Sequence, residues 1–263
     1  MQELLRLIKC EFKKIKRKNF ISFVIFASLL FPIPLTALAI KGGFGNIESF
    51  DKLFGALISY GEAIMLPCVL GIMAAMLFIM ERDNDTLKNL RVIPVSMNSI
   101  VTAKIALLFA MGILFSLTTT LSAIVGGVIS GGEITGIPVK FGVAALTGIL
   151  YTSGTLPVLI LIVLFNKSYI FSIIITVFYT FFNFFLAFVG LAIDSPIMNV
   201  LKSVMPTPTI YRWQASVFVD SGESYYEIIS PYFLPLTVTV FVVGILGILS
   251  YWVIVKIYKM REG

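Results

Sequence analysis

Six long stretches without a single Asp, Glu, Lys or Arg decide what this chain can fold into. They cover residues 20–40, 63–80, 105–132, 141–166, 168–193 and 228–255, together more than half of the 263 residues. A helix rising about 1.5 Å per residue needs about 20 apolar residues to cross the hydrocarbon of a bilayer, and each stretch reaches or nearly reaches that length. Hydrocarbon offers backbone N–H and C=O groups no partner but each other, so the segments should be α-helices. The apolar runs are continuous rather than alternating, which disfavours a β-barrel. Charged residues make up only 13% of the chain, against about 25% in soluble domains, too few to cover a water-soluble surface. The 23 Phe and 10 Tyr are equally foreign to a disordered chain. The expected fold class is therefore all-α, a polytopic membrane protein with six transmembrane helices at about 20–40, 59–80, 105–129, 141–165, 169–193 and 232–255. An N-terminal segment 1–19 precedes this 20–255 transmembrane domain and a tail 256–263 follows it. The apolar run after the basic N-terminus is too long for a leader peptide and reads as a retained first helix.

The second stretch is the shortest. Ser59-Tyr60-Gly61-Glu62 has capping-box spacing and would start that helix near Ser59, and Pro67 predicts a kink. Six crossings put both termini on one side. That side holds 15 Lys and Arg and the other holds 5, which places the termini in the cytoplasm by the positive-inside rule. The formal net charge of +6 is thereby explained as membrane orientation, with no call for nucleic acid as a partner. Leu5, Ile8, Phe12 and Ile15 form one stripe of a helix, with Lys9, Lys13, Lys16 and Arg17 off it. Segment 1–19 should thus be an amphipathic helix lying along the cytoplasmic interface.

Several kinds of chemistry are missing. The chain has no His, and two Cys rule out a four-cysteine zinc site; neither a metal site nor catalytic residues are expected. Cys10 and Cys68 sit at different depths, so no disulfide is expected. No charged residue falls inside the six stretches, and Glu62, Glu133 and Asp194 lie only at their outer edges. That argues against a self-powered carrier. No G-x-x-x-x-G-K-[ST] loop is present to bind ATP. Gly131-Gly132 reads as a glycine-rich helix end, and Gly127 and Gly131 also have the spacing of a close-packing pair. Ser and Thr at depth, such as Ser116, Thr118, Thr147 and Thr152, should mostly bond to backbone or a neighbouring helix, as should Asn183. The segment from Asp194 to Glu227 reads as the longest outer loop. Its aromatics suit an interfacial belt or, less economically, contacts to an amphipathic ligand.

The loop Glu81–Lys104 is the most informative polar segment. Asp85 can cap a short helix from Thr86 to Val92, Pro94 stops it, and Ser96 caps the next span. Leu87, Leu90 and Val92 are too few for a domain but enough for an edge that docks. Glu81-Arg82, Thr86-Leu87, Leu90, Pro94 and Ser96, with Lys104 at the start of span three, resemble the cytoplasmic loop of ABC-2-type ABC transporter permeases. Asp85 stands where that family usually has Gly. The resemblance extends to the six-span topology of the whole chain. It implies a coupling helix between spans two and three, formed by Glu81, Arg82, Asp83, Asp85, Thr86, Leu87, Lys88, Leu90 and Arg91. It also implies a cytoplasmic ABC ATPase subunit that carries ATP and Mg, none being bound by this chain, and a second permease chain as homodimer or heterodimer. The small size resembles permeases of lantibiotic immunity and bacitracin-type resistance. These imply ATP-driven export or expulsion of a hydrophobic or amphipathic compound, such as an antimicrobial peptide, from the bacterial plasma membrane. Tyr211, Trp213 and Phe218 are candidate substrate contacts. The competing classes are a secondary carrier or channel and a non-transport scaffold or sensor.

The topology is open to a direct check. In a chain freed of Cys10 and Cys68, a thiol introduced by Asn89→Cys should react with a membrane-impermeant maleimide only from the cytoplasmic side. One introduced by Gly222→Cys should react only from outside.

Overall fold

The computed structural model describes residues 2–17, 19–40, 50–83, 96–165, 168–222 and 226–262. Among these residues all regular structure is helical. Helix α1 spans Gln2–Arg17. Helices α2 (Phe20–Leu30) and α3 (Pro32–Ile40) make the first span, broken where Pro32 removes a backbone donor. Helix α4 (Phe50–Ala56), a π turn (Leu57–Gly61) and α5 (Glu62–Asp83) follow as one continuous rod. Then come α6 (Met97–Ile129), α7 (Ile137–Leu164) and α8 (Tyr169–Phe188). Between α8 and the last span lie α9 (Pro196–Val204), α10 (Pro206–Phe218) and α11 (Tyr226–Ile229). Helix α12 (Leu236–Glu262) closes the chain. Six helical segments are long and apolar enough to cross a membrane: Phe20–Leu38, Phe50–Ile79, Met97–Ile129, Ile137–Leu164, Tyr169–Phe188 and Leu236–Met260.

The second span departs from expectation in an instructive way. The helix does not start at Ser59. It starts at Phe50, because Phe50, Leu53, Phe54, Leu57 and Ile58 form a helical stripe that is wholly buried. Counting charge-free residues stops at Glu62, and the capping-box spacing lengthens the helix only to Ser59, although residues 53–61 are also free of charge. Asp51 reaches Lys140 on α7 at 2.5 Å at the rim of the bundle, so it does not end the helix. Ser59 and Glu62 are accordingly interior residues and form no capping box. The helix runs through Pro67, and its irregularity is the π turn one turn earlier.

The α4–α5 rod is the most enclosed span, with 72% of its apolar window buried. It is surrounded by α2, α6, α7, α8 and α10. Helix α8 is built inside out. Ser172, Thr176, Thr180, Asn183 and Ala187 are buried, while Ile174, Phe178, Phe181, Phe182 and Phe185 are exposed. In a bilayer this is the economical arrangement, since lipid tails accept phenylalanine and small residues let backbones approach. The buried hydroxyls satisfy themselves on their own helix: Thr176 donates to Ser172 O, Thr180 to Thr176 O, Thr152 to Gly148 O and Thr120 to Ser116 O. Thr118 bridges instead to Ser28 of α2 at 2.8 Å, and Ser153 donates to Val243 O of α12 at 3.3 Å.

Glycines set two local features. Helix α6 ends as the sequence implies: Gly131 adopts φ 76°, and the N–H groups of Gly131 and Gly132 return to the carbonyls of Val128 and Gly127. Gly127 packs under the Phe50 ring, whereas Gly131 meets nothing, so the two do not act as a close-packing pair. The real crossing lies lower, where Gly148 of α7 faces Gly112 of α6. A Cβ on Gly148 would sit 2.7 Å from the Gly112 carbonyl oxygen, a backbone atom with no side-chain freedom to yield. Gly148→Ala should therefore lower the thermal unfolding midpoint, at a cost of about 1–3 kcal/mol. Gly142→Ala, where a Cβ meets nothing within 4 Å, should leave it unchanged.

Candidate functional site

Because the spans alternate in direction, the end of α5, the start of α6, α1 and the end of α12 gather at one end of the bundle. Lys104, on the second turn of α6, is fully buried there. Its ammonium donates to the Leu77 carbonyl of α5 at 2.7 Å, lies 3.5 Å from the Glu11 carboxylate of α1, and sits 5.5 Å from the centre of the Phe78 ring. Glu11 is 6% exposed and also pairs with Lys14 at 2.6 Å. Phe78 packs edge-on against Tyr258 of α12, and Thr102 shares a hydrogen bond of 2.8 Å with Tyr251. One buried cation thus ties α1, α5 and α6 at the two ends of the 84–95 segment.

That segment holds most of the predicted coupling helix. Glu81, Arg82 and Asp83 are the last residues of α5. Asp85, Thr86, Leu87, Lys88, Leu90 and Arg91 lie outside the described residues. The predicted stripe of α1 is only partly inward. Ile15 and Glu11 are buried against the bundle, while Leu5 and Phe12 are 61% and 40% exposed. Sequence reading placed Lys104 at the start of span three but missed its burial, since a lone Lys at a span end ordinarily reads as a snorkelling anchor.

The other end differs from the expected loop. Residues 196–218 form two short helices, and α10 is embedded between α7, α8, α12 and the α4–α5 rod. Its first residue, Pro206, presses on Gly154, well inside α7; a Cβ there would lie 2.5 Å from the proline Cβ. Its last, Phe218, packs edge-on against Phe54 at 5.6 Å. The chain therefore enters the bundle and turns back without crossing. A helix start so placed exposes orphan N–H groups to an apolar interior, and Pro206 and Pro208 remove two of them. Tyr211 and Trp213 are 5% and 4% exposed and belong to the core, where Tyr211, Phe188 and Tyr60 cluster. They are not an interfacial belt. Arg212 leaves this core: its Nε donates to the Tyr232 carbonyl at 2.7 Å, and its partial burial lowers the guanidinium pKa below the ordinary value. Phe218 is half-buried and lines a groove of about 510 Å³ with Asp51, Lys140 and Asp220.

Glu62 needs the largest revision. It was expected at the outer edge, but it stands twelve residues into a 30-residue span and is fully buried. Both of its carboxyl oxygens contact Ser116 Oγ, at 2.7 and 2.8 Å. No cluster of three or more metal-ligating residues occurs among the described residues.

The profile of the ABC-2 family transporter proteins matches residues 7–183, which include most of α1, the tied junction, the first four spans and most of the fifth. The chain belongs to this family. No individual curated protein matches it. Family membership together with the six apolar helices makes the chain a multi-pass membrane protein and the permease subunit of an ABC transporter.

Lys104→Met should destabilise the permease by about 1–3 kcal/mol, since it leaves the buried Leu77 carbonyl without that donor and leaves the Glu11 carboxylate to Lys14. Adding Glu11→Gln should recover part of the loss, and a double-mutant cycle of unfolding in detergent measures the recovery.

Proposed function

We propose that this chain is the membrane half of an ATP-driven exporter. It would expel a hydrophobic or amphipathic compound, of which an antimicrobial peptide of the lantibiotic or bacitracin type is the candidate, across the bacterial plasma membrane. The observation that carries the reading is the match to the ABC-2 family over residues 7–183. The buried Lys104 junction adds a mechanical reason: a push on the 84–95 segment from below would reach α1, α5 and α6 together. On this reading both termini are cytoplasmic, and α1 lies at the inner interface with Leu5 and Phe12 toward acyl chains. Residues 81–91 dock to a separate ATPase subunit that holds ATP and Mg. A second permease chain, identical or a sister, completes the transporter. Substrate enters from the bilayer. Phe218 is the candidate contact that is already accessible, while Tyr211 and Trp213 become so only when α10 moves.

The argument that no charged residue lies at depth falls with Glu62, so it no longer counts against a self-powered carrier. Family membership is what favours the ATP-driven reading.

The test is to co-express the chain with a candidate ABC ATPase subunit, co-purify the two and compare wild type with Leu87→Asp plus Leu90→Asp. The double variant should lose at least tenfold of the complex and of transport-linked ATP hydrolysis while the permease still inserts. Unchanged assembly and hydrolysis would end the docking claim. Cells carrying the wild-type chain should survive a peptide antibiotic that kills cells carrying the variant.

A further inference from the structure

Glu62, Ser116 and Tyr151 lie at one depth. They are twelve, thirteen and fourteen residues from the rim ends of their helices at Phe50, Ile129 and Ile137, or about 20 Å in. Each is at most 1% exposed. Both oxygens of the Glu62 carboxyl lie within 2.8 Å of a single atom, Ser116 Oγ. A hydroxyl has one proton and can donate it well in only one direction. The second short contact is accounted for when the carboxyl is the acid: Ser116 donates to Oε1, and the proton on Oε2 is donated back to Ser116 Oγ. Ionised, Glu62 would be a buried anion facing one neutral hydroxyl, a costly arrangement in an apolar medium.

The neighbouring elements supply no counter-charge. The titratable groups facing Glu62 are Tyr151 on α7 and, beyond it, Tyr211 on α10. Tyr60 in the π turn, Cys68 on α5 and Tyr179 on α8 are the others near this depth, and helices α2 and α3 carry no charge at all. Three cations of the same elements are engaged elsewhere, Lys104 with Leu77 O and Glu11, Arg212 with Tyr232 O, and Lys140 with Asp51, and Lys52 stands ten residues before Glu62 at the rim groove. The Tyr151 hydroxyl, which faces Glu62, has no hydrogen-bond partner among the described residues; the same holds for both ends of the Gln214 amide, one turn beyond Tyr211 on α10, and for the Thr147 hydroxyl, one turn before Tyr151.

We propose that Glu62 and Ser116 form a proton-binding site inside the bilayer, and that the unpartnered Tyr151 hydroxyl is its second polar wall. On binding, a hydronium ion gives its proton to Oε2 and leaves as water. On release, the proton returns to water, and the carboxylate turns from Ser116 to accept from the Tyr151 hydroxyl. Because Tyr151 rides on α7 and Glu62 on the α4–α5 rod, the proton sets how these two elements grip each other. The site is independent of the cargo and of the ATPase.

The test uses the full chain in lipid nanodiscs and infrared difference spectroscopy. At neutral pH, wild type minus Glu62→Gln should show one protonated-carboxyl C=O band. In Ser116→Ala that band should persist and move to higher frequency, since the acid loses its partner. A carboxylate band in its place, or a C=O band that vanishes on adding sodium or potassium ions at constant pH, would overturn the proposal; the latter would mark an alkali-cation site. If Glu62→Gln fails to insert, the Ser116→Ala comparison decides, and an unmoved band overturns the assignment.

Discussion

Most of the structure answers to one constraint: a polar group inside hydrocarbon must find its partner within the chain, and the Tyr151, Thr147 and Gln214 side chains are exceptions among the described residues. Water is not there to take up an orphan, and leaving one open costs several kcal/mol. The spans meet the constraint for their backbones by being helices. The hydroxyls of α6, α7 and α8 meet it by folding back on carbonyls one turn earlier. Helix α10, which begins where no helix start is welcome, meets it by opening with Pro206 and Pro208, residues with no N–H to satisfy. Lys104 meets it with a carbonyl, a carboxylate and an aromatic face.

The same constraint explains what the sequence made legible. Uninterrupted apolar runs are a strong signal because so few other structures tolerate them, and all six spans were visible on that ground. The signal fails where charges are tolerated. Glu62 itself cut the apolar run, so the first three turns of the α4–α5 rod, with Asp51 and Lys52 at their start, read as loop and the depth of Glu62 was hidden. The ion pair from Asp51 to Lys140 depends on α7, which is 89 positions away and invisible to local pattern. The α9–α10 hairpin was hidden for a different reason. At 9 and 13 residues its helices are too short to span, and Pro206, Thr207, Thr209, Arg212 and Gln214 give them the composition of a loop. Burial of such a segment is decided by the bundle around it. Of the predicted docking residues, the structure describes only the helical path of Glu81 to Asp83.

The two ends of the bundle are organised by different physics. At the end bearing α1, polar contacts converge on a single buried ammonium, so geometry there is fixed by directional bonds. At the far end, aromatic edges and faces do the holding: Phe54 on Phe218, Tyr60 on Phe188, Phe188 on Tyr211. Aromatic contacts of this kind have shallow angular preferences.

The π turn at Leu57–Gly61 gives the central rod a dislocation. One surplus residue is held in a widened turn, so the side chains beyond it are rotated by about 100° relative to an uninterrupted helix. Such a defect can travel: passing the surplus residue to an adjacent turn re-aims every side chain in between while both flanks stay wound. The carboxyl that follows the turn directly, at position 62, would be the first to swing.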